Sequence, residues 1–188
     1  MAEVADKDHE LIDVLDENGV KTGEVLTRGE IHKKGLWHRA IVVAVIDEQN
    51  RVLIQQRSSA KKKNPGMWDI SIAGHVEVGQ DSVFAAVREI NEETEIDINE
   101  KVMVRDFRFM LSFRDMRQFA QDFVENQFYD FFILKRIGLN VDEMNFQKSE
   151  VQALRTVGVS ELLEMIDGGE LVERPAVYRE LTNYLLRM

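Results

Sequence analysis

The sequence predicts an α/β fold, a mixed β-sheet packed between helices. Three observations predict it. Extended segments pair off as hairpins instead of alternating regularly with helices. The stretch "WHRAIVVAVID" is nearly continuous in Val and Ile, as in strands buried on both faces. Only a few segments carry apolar residues at helical spacing. No repeat, low-complexity tract or Gly/Ser/Pro linker interrupts the chain, so one domain over residues 1–188 is expected.

In chain order, "LIDVLD" and "VKTGEVLT" read as a first hairpin, about residues 10–28, turned by "ENG". "RGEIHKKG" is a short helical piece. A second hairpin joins "WHRAIVVAVID" to "RVLIQQR" through "EQN", and "SSAKKKNPGMW" is a basic loop turned by Pro65-Gly66. "WDISIAGHVEVGQ" begins extended and ends in a Gly-punctuated loop. "DSVFAAVREINEETE" is the clearest helix, N-capped by Asp81 or Ser82, with Val83, Val87, Ile90 and Thr94 on one stripe directed at the core. "RDFRFMLSFR", "FVENQFYDFFILKRI" and "EVQALRTV" read as strands. "SELLEMI" and "PAVYRELTNYLLRM" close the chain as helices over about 159–188, Pro175 suiting a first turn.

Composition narrows the function classes. The chain has 34 acids against 24 bases, a formal charge of −10, which argues against nucleic acid or an anionic membrane as main partner. It contains no cysteine, which removes disulfides, thiolate nucleophiles, zinc–thiolate sites and iron–sulfur clusters. The N-terminal sequence has no secretory pattern, and no apolar run reaches a membrane span. A cytoplasmic protein is the expectation.

The segment "REINEETEI" carries Glu89, Glu92, Glu93 and Glu95. On a helix the first three share one face, away from the Val83/Val87/Ile90 stripe. Glu89 and Glu93 form a repulsive i,i+4 pair near a helix C-terminus, where the dipole also disfavours anions. Two readings are open: a solvated acidic face, or a cradle for a hard divalent cation.

From Gly74 the chain reads "GHVEVGQDSVFAAVREINEETEI". This resembles the signature of the Nudix hydrolases, G-x5-E-x7-R-E-U-x-E-E-x-G-U with U aliphatic. Gly74, Arg88, Glu89, Ile90, Glu92, Glu93 and Ile96 fall in register over residues 74–96. Two positions depart: Gln80 stands for a glutamate and Glu95 for a glycine. The resemblance implies a Nudix-type α/β/α sandwich and hydrolysis of a small-molecule diphosphate with Mg2+ or Mn2+. It implies metal ligands at Glu89, Glu92 and Glu93, with Gln80 as a weakened fourth, and catalytic roles for Glu92, Glu93, Glu125 and Arg88, the arginine bracing a glutamate such as Glu77 or Glu92. Arg57, Lys61, Lys62 and Lys63 of the basic loop suit phosphate oxygens, and Gly74 suits close backbone approach. A homodimer is compatible with the resemblance.

A second resemblance lies within the same superfamily. "RSSAKKKNPGMWDISIAGHVEVGQ" and "VENQFYDFF" are similar to segments of isopentenyl-diphosphate isomerase. This implies a second metal site of His32, His38, His75 and Glu125, a donor set suited to divalent transition metals. The positions of the isomerase's two proton-transfer groups are Ala73 and Gln127, neither of which performs acid–base work. Hydrolase is therefore the leading expectation. Diphosphate isomerase and a non-catalytic nucleotide-sensing module are the alternatives.

Overall fold

The computed structural model describes residues 7–61, 63–94, 96, 98–144, 146 and 148–188. The first hairpin forms as expected, from β1 (Leu11–Leu15) and β2 (Lys21–Thr27). Asp16 fixes its turn by accepting from the N–H groups of Asn18 and Val20, both at 2.9 Å. Helix α1 (Arg28–Lys34) opens in a capping box between Thr27 and Glu30 and stops at Gly35, φ +63°.

Strand β3 (Trp37–Ile46) is the spine of a nine-stranded mixed sheet. It runs parallel to β8 (Phe123–Lys135), from Trp37 opposite Asn126 to Ile46 opposite Lys135. On its other side it pairs antiparallel with β6 (Ile72–His75), placing Ala40 opposite His75 and Ile41 opposite Gly74. Strand β4 (Val52–Arg57) meets β3 only at Ile46–Val52, and is flanked by β5 (Trp68–Ile70) and β9 (Val151–Val157). Ser71 stands where β5 and β6 part: its hydroxyl accepts from Val45 N and donates to Leu53 O, replacing ladder bonds between the diverging β3 and β4. The divergence opens one end of the sheet. Strand β7 (Phe107–Ala120) pairs antiparallel with β8 at the edge.

Period-2 alternation sorts the core into two layers. Ala40, Val42, Ala44, Val52, Ile54, Phe131 and Ile133 pack against α4 (Val159–Asp167) and α5 (Pro175–Leu185) through Leu162, Met165, Val177 and Leu181. Ile41, Val43, Val45, Leu53, Phe132 and Leu134 pack against α2 (Ser82–Thr94) and α3 (Glu100–Asp106). The α/β/α layering matches the sequence expectation.

The inward stripe of α2 matches in part: Ile90 and Thr94 are buried as expected and Val87 is half-buried, but Val83 is not. Ala85, Ala86 and Ile90 enter the core, while Val83 is 39% exposed. The helix is rotated so that Glu89 and Glu93 also turn inward, at 1% and 5% exposure. Asp81 is the N-cap, accepting from Phe84 N at 2.8 Å, whereas Ser82 donates to Asp130. Among the described residues, no helix is long and apolar enough to cross a membrane.

Candidate active site

The open end of the sheet holds a cavity of about 510 Å3. Strand parity explains who reaches it. The alternation that sends Ala40 and Val42 toward α4 and α5 turns His38 to the same face, where it is fully buried next to the lining residues His32 and His75. On β8 it aligns Glu125 and Gln127 with Tyr129 and Phe131, and on β6 it aligns Ala73 with His75. Helix α1 contributes buried His32.

Glu89 and Glu93 approach the same cavity from the α2 side. Gly74 makes this possible. A Cβ at Gly74 would lie 2.2 Å from Glu89 Cδ and Oε1, so the absent side chain is the space that the carboxylate fills. Alanine there has to displace a buried carboxylate tied to Arg88. Gly74→Ala is expected to cost about 1–3 kcal/mol, as overpacking does, read from the urea midpoint, and to lower turnover by more than the stability loss explains.

The three glutamates divide by angle. At 100° per residue, Glu93 lies about 40° from Glu89 around the helix and Glu92 about 60° the other way. Glu89 and Glu93 therefore line the cavity, while the Glu92 side chain is 46% exposed and pairs with Arg88 at 3.3 Å. Neither Glu92 nor Arg88 lines the cavity. Arg88 is a brace. Its guanidinium meets Glu89 at 2.9 Å, Glu77 at 3.2 Å and the His75 carbonyl at 3.0 Å. Burial opposes its charge, but Glu89, Glu77 and Glu92 together raise its pKa. Gln55 steadies Glu93 by donating to Oε2 at 3.2 Å. The i,i+4 repulsion is thus offset by Arg88 on one carboxylate and an amide on the other.

Gln80 is not brought to this site. It lines a separate cavity with Asp13, Lys21, Arg39, Ser82 and Asp130. Lys62 and Glu95 lie outside the described residues.

The histidines do converge. One ring nitrogen from each of His32, His38 and His75 lies within 4.8 Å of the others. His38 Nδ1 donates to the Leu36 carbonyl at 3.0 Å, which leaves its Nε2 lone pair facing inward. The Gln127 amide nitrogen donates to His38 Nε2 at 2.9 Å and to His75 Nε2 at 3.1 Å. His32 Nε2 is buried without a hydrogen bond, 3.9 Å from Glu125 Oε1. Burial is the main cause holding all three imidazoles neutral, His32 to about 3 and His38 to about 4, with His75 well below its ordinary value. Neutral rings with converging lone pairs suit a divalent metal, and the carboxylate pair Glu89/Glu93 suits a harder one.

The depressed histidines give a pH signature. The unfolded chain protonates near the ordinary 6.5 and the folded chain only near 4 and 3. Stability is therefore complete above about pH 6.5 and falls as pH drops toward the folded values, by up to about 1.4 kcal/mol per histidine for each pH unit. Urea unfolding of chelator-treated protein is expected to show a loss of at least about 2 kcal/mol between pH 7 and pH 5, reduced in His38→Asn.

Cations line the cavity together with the carboxylates. Arg28, Arg57, Lys61, Lys63, Arg117 and Arg174 line it, six positive groups in a chain of net charge −10. Lys61 pairs with Glu150, and Lys63 with Glu125. Burial works against ionisation of Glu125, but the Lys63 charge holds its pKa below the ordinary value. Arg57 donates to the Lys63 carbonyl at 3.1 Å, shaping the basic loop. Arg174 and Asp69 form a buried two-bond pair at 2.8 and 3.0 Å. The sequence reading missed Gln55, Asp69, Arg117 and Arg174. Of these only Asp69 left a signal, as an acid inside the apolar stretch "WDISIAG".

Comparison with known proteins fits this architecture. The NUDIX domain family matches residues 36–180. An uncharacterised Nudix hydrolase of Listeria monocytogenes is 33% identical over 161 residues, covering 85% of this chain and 86% of that protein. Nudix hydrolase 3 of Arabidopsis thaliana is 33% identical over 154 residues, 81% of this chain but 20% of the plant protein, so the chain spans a fifth of that relative. Isopentenyl-diphosphate Delta-isomerase of Streptomyces avermitilis is 37% identical over 83 residues, 44% of this chain and 42% of that enzyme. The crystal structure of DR0079 from Deinococcus radiodurans superposes with a TM-score of 0.68 at 19% identity, covering 95% of this chain and 98% of that one, and shows the shared fold. Nudix hydrolases generally use divalent metals, in keeping with the buried carboxylates of α2. By the family match across most of its length and the near full-length Listeria relative, the chain belongs to the NUDIX domain family, as a Nudix-type phosphohydrolase.

Proposed function

We propose that this hydrolase cleaves the diphosphate linkage of a nucleoside diphosphate derivative or related phosphorylated metabolite, using Mg2+ or Mn2+ held by Glu89 and Glu93. The observation that carries the reading is that two buried carboxylates on a helix and the cations Arg57, Lys61, Lys63 and Arg174 line one cavity. A bound divalent ion supplies charge neutralisation at the phosphoryl oxygens and a more acidic attacking water. The chain's residues do the rest. Arg57, Lys61 and Lys63 orient the anionic oxygens as cations. Gly74 and Arg88 set the position of the Glu89 carboxylate. The water oxygen bonds to one phosphorus, the bridging P–O bond breaks, and its electron pair leaves on the departing phosphate. The water's proton passes to Glu125, a buried lining carboxylate outside the acidic helix, which its depressed pKa keeps ionised.

A second metal position at His32, His38, His75 and Glu125 is supported by the convergence of the three neutral rings. With Glu125 committed to such a position, proton acceptance falls to Glu93. Diphosphate isomerisation is disfavoured, since Ala73 and Gln127 line the cavity where acid–base groups would be needed. A screen of nucleoside diphosphate sugars, dinucleoside polyphosphates, nucleoside triphosphates, coenzyme A and prenyl diphosphates, with each metal, tests the proposal. Metal-dependent cleavage of at least one class is expected. Binding without cleavage in every class would favour the sensing alternative.

A further inference from the structure

We propose that Lys63 is a tethered cation that keeps the histidine pocket closed to a divalent metal until a diphosphate anion draws the ammonium away. The pocket contains the donors a borderline metal needs: three buried imidazoles with nitrogens inside 4.8 Å of one another, and Glu125 Oε1 at 3.9 Å from His32 Nε2. Two groups already satisfy most of those donors. The Gln127 amide caps the inward lone pairs of His38 and His75. The Lys63 ammonium sits on Glu125, the single carboxylate of the set.

Lys63 is held there by more than one contact. Its nitrogen lies 4.4 Å from the centroid of the Phe119 ring and 5.7 Å from that of Phe123, and Phe123 in turn packs 4.9 Å from His32. A cation so placed has two effects on a metal. It neutralises the anionic ligand, and it repels a second positive charge at short range in a poorly solvated pocket. His32 Nε2 remains buried without a hydrogen bond. A half-turn of the Gln127 amide would exchange its N–H donors for Oε1, which is also buried without a partner.

Lys63 is also the group placed to leave. It lies in the basic loop with Lys61, and both line the cavity together with Arg57. A doubly charged phosphate group arriving at these cations offers it a stronger partner than one carboxylate. Substrate and metal would then bind with positive coupling, each favouring the other. The identity of the anion rests on the diphosphate-hydrolase reading; the competition between Lys63 and metal does not.

The test is a Co2+ titration of the full chain followed by visible absorption, with excess Mg2+ present and His38→Gln as the blank for histidine ligation. Without added anion, Lys63→Met and Lys63→Gln are expected to bind Co2+ at least tenfold more tightly than wild type. Lys63→Arg, which keeps the charge, should resemble wild type. Methylene diphosphonate should tighten Co2+ binding in wild type at least fivefold and leave Lys63→Met within twofold. Equal affinity in wild type and both neutral variants would overturn the proposal, as would an unchanged wild-type titration with diphosphonate. Loss of all hydrolysis with the coupling intact would fault the substrate reading instead.

Discussion

Replacing Glu93 with glutamine is expected to lower kcat by about a thousandfold, within the range for removing one charge-stabilising group from an active site, while Glu92→Gln costs less than about tenfold. A simple signature reading ranks these adjacent residues together. The structure separates them: Glu93 is 5% exposed, lines the cavity and is held by Gln55, whereas Glu92 points to Arg88 and solvent. Steady-state kinetics under saturating metal checks this, with circular dichroism to show that both variants fold. Glu89→Gln should fall with Glu93→Gln, and Gln55→Ala should lie between, because it loosens a ligand without removing it.

Removing Arg174 is the largest expected stability effect. Asp69 is 0% exposed and both its oxygens accept from Arg174, with Arg57 farther off at 3.7 Å. Arg174→Met leaves that carboxylate without its main partner in a site that excludes water, and a loss of about 3–5 kcal/mol is expected from urea denaturation. Asp69→Asn combined with Arg174→Met should lose less than the sum of the two single changes, since Asp69→Asn removes the charge that Arg174→Met strands. The pair joins β5 to the residue before α5, so the same variant should loosen the cavity wall formed by Val172 and Arg174.

The first hairpin, the turn after β3, the two closing helices and α2 were legible in the sequence because each states its own rule locally: "ENG" and "EQN" as turns, Pro175 in a first turn, Asp81 as a cap. Helix α3 was not, since "EKVMVRD" spans only seven residues, too short to show a stripe. The rotation of α2 was misread for a different reason. Valine outranks alanine on any hydropathy scale, but Ala85 and Ala86 allow close approach to the sheet and leave Val83 outside. The same rotation turned Glu89 and Glu93 inward, which periodicity alone had assigned to an outward face.

The site was legible where one continuous segment encodes it and illegible where it is assembled from distance. Gly74 and Glu89 meet through a motif whose spacing is itself the signal. Arg174 and Asp69 are 105 residues apart, and neither type nor spacing links them. The histidine cluster stands between these cases: a resemblance suggested it, and strand parity together with α1 brings its members into one pocket.

The most direct test of the account is phosphorus NMR of the best substrate from the screen, comparing wild type with Glu93→Gln in Mg2+ or Mn2+ and in chelator. The account predicts that wild type converts the resonances of the cleaved diphosphate linkage into those of its two phosphate-bearing products only with metal, and that Glu93→Gln leaves them nearly unchanged. Cleavage at equal rates in the two proteins, or conversion of isopentenyl diphosphate with its diphosphate intact, would contradict it.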